Sequence, residues 1–450
     1  PSWARPDPLD ELAERLDDFI AAAVHPDEIA ALLESDGLSD DQIRERYGVQ
    51  DSFALAEKLY ERVERRHPEP GGPAHDPWRT DLLGCLLRGV IFALPCLGHV
   101  LGAPFLTGPR DDFDLPAGTL PLLVGALVGW TWNQGLAHRA YTWLGSGDRT
   151  AARRTLLRGA PTGALLGTLS ALAAAGTAHP SAVAFTAGQS VYLAAATVLL
   201  VLGRERALLA ALLPMTAGAA VALAHPLPDA ARLTLLLGSL AVAALLGLRE
   251  LAPPQGRGEL RDQPHTTRSR QRTTSPPLLG SFPHALFGLA TGTLVLHTAL
   301  EHAPAAVALT LSMGPAEWLL YRFRSNGLAG LRSSDTPRAF RRTTARTVGR
   351  CLAVYLAALL ALTLTTGITG THLAALLLLG VVLWTGLLLQ SFGAVLGTTT
   401  ICCAAALAQT AALVTHTGSP HLIGLIVHAT AAVAQVTLVC CLLGRVTAHR

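Results

Sequence analysis

Glu317, Tyr321 and Arg324 stand at i, i+4 and i+7 in "AEWLLYRFR". On a helix that spacing places a carboxylate, a phenol and a guanidinium on one face. A comparable face gathers Trp130, Gln134, His138 and Tyr141. If both faces line a cavity, the indole, amide and hydroxyl groups suit sugars. Arg88, Arg139, Arg322 and Arg324 would then serve phosphate or acidic groups through charge-assisted, bidentate hydrogen bonds. The substrate-binding set expected on this basis is Arg88, Trp130, Gln134, His138, Tyr141, Glu317, Tyr321 and Arg324. The competing reading pairs Glu317 with a nearby arginine at the membrane border.

These are binding groups rather than a reaction centre. The chain has no phosphate-cradling Gly-x-x-x-x-Gly-Lys-Ser loop, no Gly-x-Ser-x-Gly elbow and no His/Cys cluster with metal-ligand spacing in sequence. No enzymatic step, cofactor or metal is therefore expected. His99, His297 and His428 read as packing residues, and Gln189, Gln409 and Gln435 as interhelical hydrogen-bonding groups.

The elements that must position these side chains follow from composition. Half of the 450 residues are hydrophobic and 15% are charged, against about 25% in ordinary soluble domains. Mean hydropathy is +0.38. Apolar blocks recur near the roughly 20 residues that cross ~30 Å of hydrocarbon. The period-two alternation of a membrane barrel is absent, so the class is an all-α, polytopic membrane protein. Twelve spans are expected near residues 82–106, 118–137, 157–178, 183–202, 207–224, 233–248, 282–300, 305–320, 348–364, 373–389, 395–414 and 422–443. Connections on one side hold 21 arginines, and those on the other hold only Arg110 and Arg232. The positive-inside rule makes the arginine-rich side, with both termini, cytoplasmic. The opposite turns are short and carry His-Pro or Gly, as in "AHPSA", "EHAP" and "HTGSPH". The seven cysteines lie in apolar segments and read as small packing residues, so no disulfide is expected.

Residues 1–70 differ: 18 acids stand against 8 basic residues, while the rest of the chain has a net charge of +13. Helices are expected over 9–23, 26–34, 40–47 and 52–66. Ser39 and Gln42 should form a capping box, and Gly37 and Gly48 should end helices. The expected core is Ile29, Leu32, Leu33, Leu38, Ile43, Tyr47, Phe53, Leu55, Ala56 and Leu59. A net charge of −10 opposes nucleic acid, so this small soluble domain reads as a docking or regulatory module. Its polar, acidic opening does not resemble a cleavable signal peptide. The expected layout is thus 1–70 acidic cytoplasmic helical domain, 71–81 linker, 82–248 first six-helix bundle, 249–281 cytoplasmic linker, 282–443 second six-helix bundle and 444–450 tail.

The two bundles carry similar wording. "LGSGDRTAARRTLLRG" from Leu144 matches "LRSSDTPRAFRRTTAR" from Leu331, aligning Asp148 with Asp335, Ala152 with Ala339 and Arg154 with Arg341. "LLGCLLRGVIF" from Leu82 matches "LLGSFPHALFG" from Leu278, setting Arg88 opposite His284. Each loop motif follows the second span of its half, and repeated halves are a common transporter plan. Gly145 and Gly147 permit the turn, Asp148 caps the next helix, and Arg149, Arg153 and Arg154 face headgroups.

"NQGLAHRAYTWLGSGDRTAARRTLLRG" resembles the loop after the second helix in the multidrug/oligosaccharidyl-lipid/polysaccharide (MOP) exporter superfamily, over about 30 residues of wording. The twelve-span layout is similar to that of its polysaccharide exporters. The resemblance implies two six-helix bundles around a V-shaped cavity with alternating access. It also implies a bacterial cytoplasmic-membrane exporter of a polysaccharide or lipid-linked oligosaccharide. The acidic domain would then dock a cytoplasmic glycosyltransferase. The alternatives are a small-molecule antiporter and a non-transporting membrane scaffold of a glycan-synthesis complex. Antiporters of the superfamily use a carboxylate in the first helix of a bundle. Here the first span offers Arg88 and His99, and the seventh offers His284 and His297.

Overall fold

The computed structural model describes residues 7–64, 66, 80–106, 118–175, 179–252, 278–333 and 336–444. These residues form helices without a strand and divide into two compact units, Pro1–Pro77 and Trp78–Arg450. Within the second unit, nine helices are long and apolar enough to cross a membrane among the described residues. The chain is therefore a helical, multi-pass membrane protein with an additional small helical unit.

In the small unit, α1 (Pro8–Arg15), α2 (Asp17–Ala22), α3 (Pro26–Ser35), α4 (Asp40–Tyr47) and α5 (Ser52–Arg62) enclose a core led by Leu12, Ile20, Ile29, Leu33, Ile43, Leu55 and Leu59. The capping box forms: the Gln42 amide N–H donates to Ser39 Oγ at 3.4 Å, and the Ser39 amide donates to Gln42 Oε1 at 3.1 Å. Gly37 and Gly48 have φ of +79° and +68°, which closes α3 and α4 as expected. Three expectations need correction. The single helix over 9–23 is two, interrupted at Leu16, and the helix expected over 52–66 ends at Arg62. Phe53 is 54% exposed, because at the second position of α5 it points away from the face that buries Leu55 and Leu59.

The membrane unit comprises α6 (Leu82–Gly102), α7 (Thr119–Gly145), α8 (Arg149–Ala175), α9 (Pro180–Val201), α10 (Glu205–Ala224), α11 (Asp229–Leu251), α12 (Phe282–Glu301), α13 (Ala303–Leu311), α14 (Met313–Ser333), α15 (Pro337–Leu364), α16 (Gly370–Ser391), α17 (Val395–Val414) and α18 (Pro420–Leu443). In a membrane, helices gain from close approach rather than from apolar burial, so small residues set the contacts. Gly125 and Gly167 bring α7, α8 and α9 together against Thr186 and Ser190, while Gly163 receives the Trp132 indole.

Packing pairs recur in the two parts of this unit. α7 lies on α8, α8 on α9, α6 on α10, α9 on α11 and α10 on α11. Further along, α14 lies on α15, α15 on α16, α12 on α17, α16 on α18 and α17 on α18. Each buried hydrophobic cluster among the described residues of the membrane unit falls wholly within 91–251 or wholly within 287–443. Between these parts the main crossings are α6 with α14 and α7 with α12.

One expected span is broken. The block near 305–320 is two helices, α13 and α14, separated at Ser312. Pro315 lacks an N–H for the Leu311 carbonyl and its ring crowds that group, which weakens the helix here, although α6, α8 and α10 run on through Pro95, Pro161 and Pro214. Ser312 caps the break, bonding the Leu309 carbonyl at 2.7 Å and the Tyr355 hydroxyl at 3.1 Å. The interruption lets α6 approach closely: a Cβ on Gly89 would lie 2.8 Å from the Gly314 nitrogen and 2.9 Å from the Leu311 oxygen. α7 and α8 are each 27 residues long, but their polar content keeps them outside the nine.

The Asp148 turn forms as expected. Gly147 has φ of +82°, and the Ala151 amide donates to Asp148 Oδ1 at 2.8 Å. At the corresponding turn Asp335 lies outside the described residues, and Thr336 caps α15 through the Ala339 amide at 3.2 Å. The linker residues 253–277, most of the tether before Thr80 and the tail after Gly444 also lie outside the described residues.

Candidate functional site

The α6–α14 crossing carries charge. Arg88 projects from the second turn of α6, and its Nη1 donates to Glu317 Oε1 on α14. Its Nε donates to Glu205 at 2.5 Å, where Glu205 opens α10. Tyr321 joins both Arg88 and Glu317, one turn beyond Glu317. One guanidinium thus binds three helices. Exposures of 33%, 24% and 21% for Arg88, Glu317 and Glu205 leave the cluster partly open. Arg204, beside Glu205, pairs with Glu250 at the end of α11 at 3.0 Å. Because Arg88 already meets two carboxylates, an anionic ligand would have to compete with both for its charge.

The α7–α12 crossing carries imidazoles. His138 and His284 stack with ring centroids 3.6 Å apart, and His138 Nδ1 lies 3.1 Å from Ser281 Oγ. Gln134 packs where a Cβ on Gly288 would fall, and Trp130 borders Gly292. Tyr141 is exposed, yet close enough to feel the charges of Arg88 and Glu317. Arg324 donates to the Ser391 carbonyl at the end of α16 and lies 5.3 Å from the Phe392 ring centroid, within electrostatic reach of Tyr321. Arg322 covers Trp318 at 5.0 Å.

The eight expected residues therefore fall into three groups. Arg88, Glu317, Tyr321 and Tyr141 gather at one crossing, Trp130, Gln134 and His138 lie at or near the other, and Arg324 caps α16. Sequence reasoning missed Glu205, whose only sign was an acid at the edge of one apolar block while Arg88 lay inside another. It also missed His284 as a partner of His138.

A separate cavity of about 320 Å³ lies among α6, α9, α10 and α11. Its wall is mainly apolar, including Phe185, Tyr192, Met215 and Leu236, with His99, Gln189 and Ser239 as polar points. Gln189 Oε1 and Ser239 Oγ are buried without a hydrogen-bond partner among the described residues. Gln435 does bridge helices, accepting from Thr385 at 2.7 Å and donating to Cys402 Sγ at 3.1 Å. The carbonyl oxygens of Gln189 and Gln409 do not, which corrects that part of the expectation. All seven cysteines are free.

Glu301, His372 and His421 offer ligand atoms that lie within 4.8 Å of one another. They come from the end of α12 and the starts of α16 and α18, so no local spacing announced them. No family model, curated protein or solved structure matches the chain.

Proposed function

We propose that the chain is an exporter of a polysaccharide or lipid-linked oligosaccharide, working by alternating access between two six-helix bundles. The twelve spans of this reading count α7, α8 and the broken α13–α14 pair alongside the nine strongly apolar helices. One observation carries it: the first helix of each set crosses the second helix of the other, α6 on α14 and α12 on α7. Exchange of the two sets leaves that arrangement unchanged, as a pseudo-twofold machine requires. The segregation of hydrophobic clusters supports two bodies that tilt against each other, because their joint is built from small residues and polar pairs rather than a shared core. Trp130, Gln134 and Tyr141 supply ring faces and hydrogen-bonding groups suited to sugars. The wording resemblance to MOP exporters and the arginine bias of one set of connections agree with this reading, in which both termini would lie on the cytoplasmic side of a bacterial membrane.

The acidic unit would dock a cytoplasmic glycosyltransferase through a basic face of that partner. Reconstituted full-length chain should move a labelled lipid-linked oligosaccharide across vesicles, and deletion in cells should remove surface glycan. Retention of both glycan and flux without the chain counts against the proposal.

The apolar cavity favours a second reading, a small-molecule antiporter. Its size falls within the roughly 300–1,000 Å³ of ordinary small-ligand sites, and a glycan would find few polar partners in it. Ion-gradient-dependent efflux of cationic, apolar compounds would select this reading over the exporter.

A further inference from the structure

We propose that Glu301, His372 and His421 form a binding site for a divalent transition metal, with Zn²⁺ the best match, at the membrane-unit face opposite the arginine-rich connections. Glu301 ends α12, His372 lies in the first turn of α16, and His421 lies in the first turn of α18. Glu301 Oε2 is 3.5 Å from His421 Nδ1 and 3.9 Å from His372 Nδ1. Donors bound tetrahedrally to zinc at about 2.0–2.2 Å are roughly 3.4 Å apart. Small side-chain rotations therefore close the triangle around an ion. The ring of His302 meets His372 edge-on at 4.6 Å, and that of His421 does so at 4.2 Å, which holds the imidazoles at the mouth.

A second observation points to a ligand at the same place. His428 lines the same cavity, is only 2% exposed, and its Nε2 has no hydrogen-bond partner among the described residues. Its Nδ1 lies 3.1 Å from the Ala375 carbonyl, which assigns the proton to Nδ1 and leaves Nε2 as an acceptor. Gln409 Oε1, also buried and lining that cavity, is likewise an acceptor without a donor. Two stranded acceptors thus line the cavity that the two imidazoles and the carboxylate share, and a metal-bound water, a strong donor, is one group that would satisfy such acceptors.

The donor set decides the class of ion. Imidazole with a single carboxylate suits zinc, whereas calcium and magnesium prefer oxygen-rich shells. Three protein ligands leave a fourth position for water or a solute group. Bound there, the ion ties the end of α12 to the starts of α16 and α18, bracing the set of helices that contains all three. This inference is independent of the exporter reading, since it concerns binding alone.

The test uses tag-free full-length protein in detergent, stripped of metal and titrated with Zn²⁺ against a chromophoric chelator, then with Co²⁺ by visible absorption. The expected result is one saturable site per chain and the intense visible bands of tetrahedral cobalt. His421→Ala and Glu301→Gln should each weaken binding by more than the about 10–100-fold that loss of an outer-shell partner costs. His428→Leu should fall within that outer-shell range. Circular dichroism and gel-filtration profiles of each metal-free variant must match those of the parent. Should a variant not fold, the stoichiometry and cobalt spectrum of the unaltered chain still decide the matter. Absence of saturable binding, a six-coordinate cobalt spectrum, or affinity unchanged by His421→Ala would each overturn the proposal.

Discussion

Arg88 on α6 and Glu317 on α14, 229 residues apart, form an ion pair across the joint between the two sets of helices. Glu205 shares the guanidinium, so the three side chains do not contribute equally. Arg88→Met strands two carboxylates, whereas Glu317→Gln leaves Arg88 with one. Breaking a fully buried pair costs about 3–5 kcal/mol. Partial exposure reduces this to roughly 1–3 kcal/mol for Arg88→Met, and to less for Glu317→Gln. Thermal unfolding in detergent should rank the variants in that order. Equal losses would mean that Glu205 contributes nothing to the cluster.

The close approach of α6 to the α13–α14 break predicts a sharp contrast between glycines on one helix. A methyl on Gly89 meets backbone atoms at 2.8 and 2.9 Å, and these cannot move aside as a side chain could. Gly89→Ala should lower stability by about 1–3 kcal/mol through overpacking. Gly84 has nothing within 4 Å of its added Cβ. At Gly84, Ala should be neutral or gain up to about 1 kcal/mol from helix propensity. Detergent melting curves for the two variants provide the comparison.

In the acidic unit, neighbouring residues of α5 have opposite fates. Leu55 is fully buried, whereas Phe53 is exposed. Leu55→Ala should cost about 2–5 kcal/mol. Phe53→Ser should change stability by no more than about 0.5 kcal/mol, as expected for a surface position. Hydrogen exchange within residues 8–62 of the intact chain would read both effects. Strong loss of protection in Phe53→Ser would contradict the placing of that ring.

The helices were legible because their signals are local: apolar blocks of spanning length, the Ser39–Gln42 box, Asp148 and the paired glycines. The interruption at Ser312 was not, although Gly314-Pro315 marked it, because apolar residues continue on both sides and hide the lost hydrogen bond. Side-chain partnerships were harder still. An arginine within an apolar block must find a carboxylate, and the competing reading of Glu317 anticipated that need. Which acids would answer depended on α6, α10 and α14 meeting. The grouping of Glu301, His372 and His421 depended likewise on three helix ends converging. Histidines in short turns give no hint of this when they are read one turn at a time.

The other crossing offers a direct test of alternating access. A Cβ built on Gly135 of α7 lies 3.3 Å from the Cβ of Ala285 on α12. Disulfides span Cβ separations of about 3.5–4.5 Å, so Gly135→Cys with Ala285→Cys is close to bonding geometry. The pair belongs in a background whose seven native cysteines are replaced. Oxidation should then join α7 to α12 within one chain, visible as altered electrophoretic mobility. If the sets of helices part at this crossing during each cycle, the joined protein binds solute but stops moving it, and reductant restores flux. Each single-cysteine variant should transport with or without oxidant. Undiminished flux through fully joined protein would show that this crossing stays closed throughout transport, and the two-body mechanism would then have to hinge elsewhere.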